Sequence, residues 1–295
     1  MPISWSDVVS VYRELFGREP ESDEVIAQHM ANNDDVFSLI REAMKNDDEF
    51  VQRIFTLAAG SKPSETNERV YQTIVTTASY APWHLDSEFM NIYVSVSGHT
   101  LVDLYRCWNL WHLVGQVAKS AGPRDHFVEI GVWRGGTGIL MARAMASHGL
   151  GRPIYLCDTF QGVTKTGAND PHYRGGEHAD TSVDVVLSLA KALGLRSANY
   201  EIFTGVFPEQ MPSKLQAGNF AFAHIDVDAY QSARDCFAAI WPRMIPGGVV
   251  VFDDYGFIHT SGVTKLVDEH MGVVDGMCMY NLTGQAVFVK LSHMR

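Results

Sequence analysis

Ala223-His224-Ile225-Asp226-Val227-Asp228 and Gly247-Gly248-Val249-Val250-Val251-Phe252-Asp253-Asp254 are two short apolar runs, each closing on a pair of carboxylates. A short, β-rich apolar segment bounded by glycine or proline reads as a strand buried inside a parallel sheet. Side chains at the carboxyl ends of adjacent parallel strands converge on one crevice, where such sheets bind ligands. Four carboxylates gathered there repel one another unless a cation holds them. The pattern therefore points to a hard-metal site.

Working outward, strands and helices alternate from His126 onward, as in a parallel sheet with crossover helices. Strands are expected at 126–132, 154–158, 200–204, 220–226, 248–253, about 275–281 and 285–291, with helices at 137–148, 182–194, 230–240 and 262–271. Asn281-Leu282-Thr283-Gly284 joins the last two strands in a hairpin-like turn, so the final strand should run antiparallel. The expected fold is α/β: a Rossmann-like seven-stranded sheet with an antiparallel terminal strand. That is the arrangement of class I methyltransferases rather than of dinucleotide dehydrogenases.

The chain has 295 residues, 46% of them hydrophobic, and a net charge of −11. This charge argues against a nucleic-acid partner, which requires a basic face. Four cysteines, Cys107, Cys157, Cys236 and Cys278, lie far apart and form no C-x-x-C pair, so buried free thiols are expected. Residues Met1–Asp7 show no basic stretch leading into an apolar core, and no apolar run reaches membrane-spanning length. A cytoplasmic protein with no membrane partner is the expectation.

Three segments are expected. Residues 1–60 form a small all-helical domain, with Val8, Val9, Tyr12, Leu15 and Phe16 on one helical face and Gly17 and Pro20 ending that helix. Further helices are expected over Ser22–Met30, from Val36 to Met44, and around Phe50, Ile54 and Phe55, before a linker at Gly60–Ser64. Residues 61–124 make up linker, lid and leading helices, one over Tyr71–Thr77 and one over Leu101–Ala121. Residues 125–295 carry the sheet. Val11-Tyr12-Arg13-Glu14-Leu15-Phe16-Gly17-Arg18-Glu19-Pro20, with Asp48-Glu49-Phe50, is similar to the helical domain related to phycobilisome linker repeats. That resemblance implies an attachment or assembly role and no chemistry.

The first strand runs into Glu129-Ile130-Gly131-Val132-Trp133-Arg134-Gly135-Gly136. Glycines at a strand-to-helix turn let a ligand approach the backbone and leave helix N-terminal N–H groups free. The spacing departs from the G-x-G-x-x-G that seats a pyrophosphate, which favours a ligand with an amino-acid tail. The second strand, Ile154-Tyr155-Leu156-Cys157-Asp158, ends in an acid suited to the hydroxyls of an adenosine ribose. A long polar loop over 161–180 offers Tyr173, Arg174 and His178 as candidates for substrate recognition, and His259, shortly after Asp254, reads either as a surface-loop histidine or as a further candidate for reaching a substrate. His224 alternates with Asp226 and reads as a core histidine with satisfied hydrogen bonds.

Together, Glu129–Gly136, Asp158-Thr159-Phe160-Gln161-Gly162, Thr181-Ser182-Val183, Gly205-Val206-Phe207, Ile225–Ser232 and Pro246–Tyr255 resemble the macrocin O-methyltransferase family. Members are metal-dependent enzymes that methylate sugar hydroxyls of bacterial natural products. The resemblance implies that Glu129, Gly131, Val132, Trp133, Asp158, Gln161, Gly162 and Ser182 contact S-adenosyl-L-methionine, with Thr100 joining from the preceding segment. It also implies that Asp226, Asp253 and Asp254 hold magnesium (Mg2+) and that Asp228 is the general base. The expected partner is a small-molecule glycoside or sugar. Lids and helical extensions often pack across dimers, which leaves a homo-oligomer open. A catechol-type methyltransferase would share metal and cofactor, and a scaffold protein would bind neither. A nicotinamide oxidoreductase is disfavoured, because Tyr230 and Tyr255 lack a lysine at Tyr-x-x-x-Lys spacing.

Overall fold

The structure is a computed structural model that describes residues 3–13, 18–46, 64–66, 69–72, 74 and 78–291. The chain divides into two compact units, Met1–Ser79 and Tyr80–Arg295.

In the first unit, Ser4 opens α1 (Trp5–Val11) through a capping box: the Asp7 amide donates to Ser4 Oγ at 3.3 Å and the Ser4 amide donates to Asp7 Oδ2 at 2.9 Å. Ser22 caps α2 (Asp23–Asn32), and α3 (Val36–Asn46) follows. Val8, Val9, Val11, Tyr12, Ile26 and Leu39 bury together into a small core of their own. Strands β1 (Ser64–Thr66) and β2 (Arg69–Tyr71) pair antiparallel, so Tyr71 lies in a strand rather than at the start of a helix. Its neighbours Arg69 and Val70 explain this, since a β-branched and aromatic run suits a pleated pair better than a helical turn. The expected helix around Phe50, Ile54 and Phe55, the Asp48-Glu49-Phe50 segment, the linker glycine Gly60 and the end of the first helix at residues 14–17 lie outside the described residues.

The second unit begins with α4 (Ser87–Val96) and α5 (Leu104–Val117). Asp103 sets the start of α5 by accepting from the Tyr105 and Arg106 amides at 2.8 and 3.1 Å. Then follow β3 (His126–Ile130), α6 (Gly136–Ser147), β4 (Ile154–Asp158), α7 (Val183–Ala192), β5 (Tyr200–Thr204), α8 (Ser213–Ala217), β6 (Phe220–Ile225) and α9 (Tyr230–Ile240). The chain closes with β7 (Met244–Phe252), α10 (Ser261–His270), β8 (Gly276–Tyr280) and β9 (Ala286–Lys290). The seven strands stand in the order β5-β4-β3-β6-β7-β9-β8. β3 to β7 pair parallel, whereas β9 runs antiparallel to both β7 and β8, as the Asn281–Gly284 turn requires.

Alternation along the strands sorts the core onto two faces. Phe127, Leu156, Phe222 and Val251 pack with Phe89 of α4, Leu110 and Trp111 of α5, Ile139 of α6 and Val186 of α7. Val128, Tyr155, Ala223, Ile225, Val250 and Phe252 face Leu215 of α8, Phe237 of α9 and Leu266 of α10. Helices α4 and α5 thus help cover one face of the sheet and belong to its unit. Cys107, Cys157 and Cys236 are buried free thiols and Cys278 is half-buried. Among the described residues no helix is long and apolar enough to cross a membrane.

Candidate active site

Strand register brings the site together. Ile130, Ile225 and Phe252 are aligned across β3, β6 and β7, so the next residues, Gly131, Asp226 and Asp253, stand side by side at the carboxyl edge. The Asp226 amide donates to Ile130 O at 2.9 Å and the Asp253 amide to Ile225 O at 3.1 Å, which carries the ladder one residue beyond the strands. Gly131 has φ +86 and packs so closely that a Cβ there would sit 1.7 Å from the Asp226 carbonyl oxygen. Only glycine combines that backbone angle with that approach.

The edge opens into a cleft of about 320 Å³, within the size range usual for small-molecule sites. Thr100, Gly131, Val132, Trp133, Asp158 and Gly162 line it, as do Asp226, Asp228, Asp253, Asp254, Tyr173, His178 and His259. Glu129, Gln161, Ser182 and Arg174 do not. Glu129 is fully buried and its Oε1 faces His224 Nδ1 at 2.9 Å, because β3 turns that side chain onto the helix-covered face. Gln161 and Arg174 are exposed, and Ser182 caps α7 through the Val185 amide. Asp158 receives the Val132, Trp133 and Phe160 amides at 2.6, 2.8 and 2.6 Å, so it braces the glycine turn from the end of β4. Oδ2 takes both the Val132 and Trp133 amides, so Oδ1, bonded only to the Phe160 amide, is the oxygen that retains a lone pair for a further donor.

Asp226, Asp253 and Asp254 each present a carboxylate oxygen, all within 4.8 Å of one another. Burial, and after it the neighbouring carboxylates, pushes Asp226 and Asp254 well above the ordinary carboxylate range. Burial also acts on Asp253, but His224, Arg106 and Gln285 outweigh it and hold that acid below its ordinary value. The Gln285 amide donates to Asp253 Oδ1 at 2.7 Å, and the Arg106 guanidinium pairs with Oδ2 while also reaching Asp103 at 2.8 Å. No cationic side chain bonds Asp226 or Asp254 among the described residues. Three oxygen donors with an unbalanced charge suit a hard divalent ion.

Asp228 sits beside them with φ +59, its amide donating to Asp254 Oδ2 at 3.1 Å. Tyr173 donates its hydroxyl to Asp228 Oδ1 at 2.7 Å. Burial, followed by the charge of Asp228, raises the Tyr173 phenol, so it remains a donor. The loop that carries Tyr173 is pinned by buried Asp170, which accepts from the Tyr230 and Gly167 amides at 2.8 and 3.0 Å. Sequence reading missed Arg106 and Gln285. For Arg106 a signal existed: it shares a helix face with Cys107, Leu110, Trp111 and Val114, and a charge on an apolar face needs a partner.

A seven-stranded, mostly parallel sheet with an antiparallel strand inserted next to its edge, and a ligand cleft at the glycine turn, defines a class I methyltransferase fold. The chain belongs to the macrocin O-methyltransferase (TylF) family, whose model matches residues 86–281. It is 33% identical over 165 residues to 8-demethyl-8-(2,3-dimethoxy-alpha-L-rhamnosyl)-tetracenomycin-C 4'-O-methyltransferase of Streptomyces olivaceus, covering 53% of this chain and 62% of that protein. Over 168 residues it is 30% identical to mycinamicin III 3''-O-methyltransferase of Micromonospora griseorubida, covering 53% and 65%. The chain therefore spans a little under two thirds of the length of these relatives. The O-methyltransferase NovP has the same fold, with a TM-score of 0.57 at 24% identity over 66% of this chain and 83% of its own.

Proposed function

We propose that the protein is an S-adenosylmethionine- and magnesium-dependent O-methyltransferase that acts on a sugar hydroxyl of a glycosylated natural product. The observation that carries this reading is the acidic edge: Asp226, Asp253 and Asp254 within 4.8 Å, with Asp228 beside them and the glycine turn alongside. The named activities of the relatives, which include methylation of rhamnosyl-tetracenomycin and mycinamicin, favour a sugar acceptor.

Thr100, Gly131, Val132, Trp133, Asp158 and Gly162 would hold S-adenosylmethionine, which supplies an electrophilic methyl group. Asp226, Asp253 and Asp254 would hold magnesium, which acts as a Lewis acid and makes an alcohol oxygen a better nucleophile. Tyr173 occupies Oδ1 of Asp228, so Oδ2 is the oxygen left to accept the acceptor hydroxyl's proton. The Asp228 amide donates to Asp254 Oδ2 at 3.1 Å, which ties the proposed base to the proposed metal edge. The Asp170-anchored loop walls the cleft on the Tyr173 and His178 side. The N-terminal helical unit, with its own small core, is assigned an attachment or assembly role.

Incubation with methyl-labelled S-adenosylmethionine, a panel of glycosides, and either magnesium or EDTA tests the reading. Transfer to a sugar hydroxyl that stops in EDTA and returns with magnesium is expected. Failure of S-adenosylhomocysteine to bind in calorimetry would sink the enzyme reading, and transfer unaffected by chelation would sink the metal.

A further inference from the structure

On the sheet face covered by α4 to α7, apolar strand positions Phe127, Phe222, Val251 and Val287 give way toward the carboxyl edge to Glu129, His224, Asp253 and Gln285. These four polar side chains come from β3, β6 and the ends flanking β7 and β9, and none is more than 1% exposed. Burying polar groups costs free energy unless every one is bonded. Here they bond to each other, Glu129 through its Oε1, while its buried Oε2 has no hydrogen-bond partner. His224 Nδ1 lies 2.9 Å from Glu129 Oε1, and its Nε2 lies 3.4 Å from Asp253 Oδ1. Gln285 Nε2 donates to the same Asp253 oxygen at 2.7 Å. The orientation of that amide is set from behind, because its oxygen accepts from Asn109 Nδ2 at 2.8 Å and Asn281 Nδ2 at 3.1 Å.

Both ring nitrogens of His224 face carboxylate oxygens, so the ring is held between two buried acids and tethers one to the other. A simpler core would have continued the apolar pattern. We propose that His224 and Gln285 are positioning residues that clamp Asp253 in the rotamer facing Asp226 and Asp254, and so set how tightly this edge holds a divalent cation. The inference rests on the metal reading above and extends it to residues that do not reach the ion. Held at Oδ1 by two donors, Asp253 has no rotamer freedom left to lose when a cation arrives, so its contribution to binding is not spent on ordering. Outer partners of metal-ligating carboxylates typically contribute about 10–100-fold in metal affinity.

The test measures Mn2+ and S-adenosylhomocysteine binding by calorimetry on the full chain and three variants. His224→Gln places an amide N–H near Nε2 and keeps the bond to Asp253. His224→Asn places one near Nδ1 and keeps only the bond to Glu129. Gln285→Leu removes the other donor and leaves the histidine in place. The expected result is a loss of Mn2+ affinity of roughly tenfold or more in His224→Asn and Gln285→Leu. His224→Gln should retain most of it, and S-adenosylhomocysteine affinity should be unchanged throughout. A merely structural histidine would make both of its variants fail alike. Mn2+ affinity equal to that of the unaltered chain in His224→Asn and Gln285→Leu overturns the clamp and leaves the metal reading standing. If the histidine variants do not fold, Gln285→Leu alone decides, and unchanged affinity there overturns the proposal. An unaltered chain that binds S-adenosylhomocysteine but no Mn2+ overturns the metal reading and the clamp with it.

Discussion

Replacing Gly131 by alanine should damage the site at the junction of β3 and β6 far more than one methyl group suggests. The new Cβ would stand 1.7 Å from the Asp226 carbonyl oxygen, and since real Cβ contacts essentially never fall under 3.0 Å, the two backbones must part by about 1.3 Å. Both are backbone groups tied into the ladder at the ends of two neighbouring central strands, so neither can swing away as a flexible side chain would. The left-handed angle of φ +86 adds roughly 1–2 kcal/mol for a residue with a Cβ. Forcing extra volume into a packed region adds roughly 1–3 kcal/mol. A combined loss of about 2–5 kcal/mol lowers the melting temperature by about 5–15 °C for a unit of this size. The functional effect should be larger. A displacement of about 1 Å in a positioned catalytic group is enough for a roughly 100-fold loss of rate, and Asp226 sits on the atoms that must move. Differential scanning fluorimetry, S-adenosylhomocysteine calorimetry and methyl transfer should all fall together in Gly131→Ala. Gly151→Ala, where nothing lies within 4 Å of the added carbon, is the control and should match the unaltered chain. A Gly131→Ala protein with unaltered melting and unaltered S-adenosylhomocysteine affinity would refute the reasoning.

Asp228→Asn keeps the shape and the Tyr173 contact but removes the proton acceptor, so turnover should fall by about 10²–10⁴-fold with S-adenosylhomocysteine affinity intact; an active variant removes the base assignment. Tyr173→Phe deletes a hydrogen bond to a charged group, of order 1.5–3 kcal/mol, and kcat should drop by about 10–100-fold while cofactor affinity holds; equal kcat would mean that Asp228 is oriented by its backbone alone. Burial, with a smaller contribution from Arg243, lowers the pKa of His126, so the folded state keeps it neutral while the unfolded chain takes up a proton below about pH 6.5. Stability is therefore fully present above that pH and declines as the pH falls through it, and the fall in melting temperature between about pH 7.5 and 5.5 should be smaller in His126→Gln; an equal fall in both proteins contradicts the assignment.

Much of this architecture was legible along the chain. The runs at 154–158 and 200–204 fold as the strands expected, and the one expected over 220–226 does so through Ile225, because an apolar, β-branched or aromatic stretch of five or six residues has little use except inside a sheet. The antiparallel β9 followed from the Asn281–Gly284 turn, since so short a connection can reverse a strand but cannot cross over to run parallel. Glu129 was harder. Period-2 alternation places it on the same face as Phe127, but whether that face or the cleft receives its carboxylate depends on α5 and α6, which cover it. Arg106 and Gln285 were invisible as partners of Asp253 because they lie 147 and 32 residues away in sequence.

From the residue order alone one could place Gly131, Asp158, Asp226 and Asp253 at strand ends on one edge, because strand length, parallel connection and register are local or nearly local properties. Only the folded chain decided which acids have partners: Asp253 has Arg106, His224 and Gln285, and Asp228 has Tyr173, while among the described residues no cationic side chain bonds Asp226 or Asp254. The state of a buried carboxylate is set by the few groups within hydrogen-bonding distance of it, and tertiary packing delivers those groups from distant segments that no spacing rule connects.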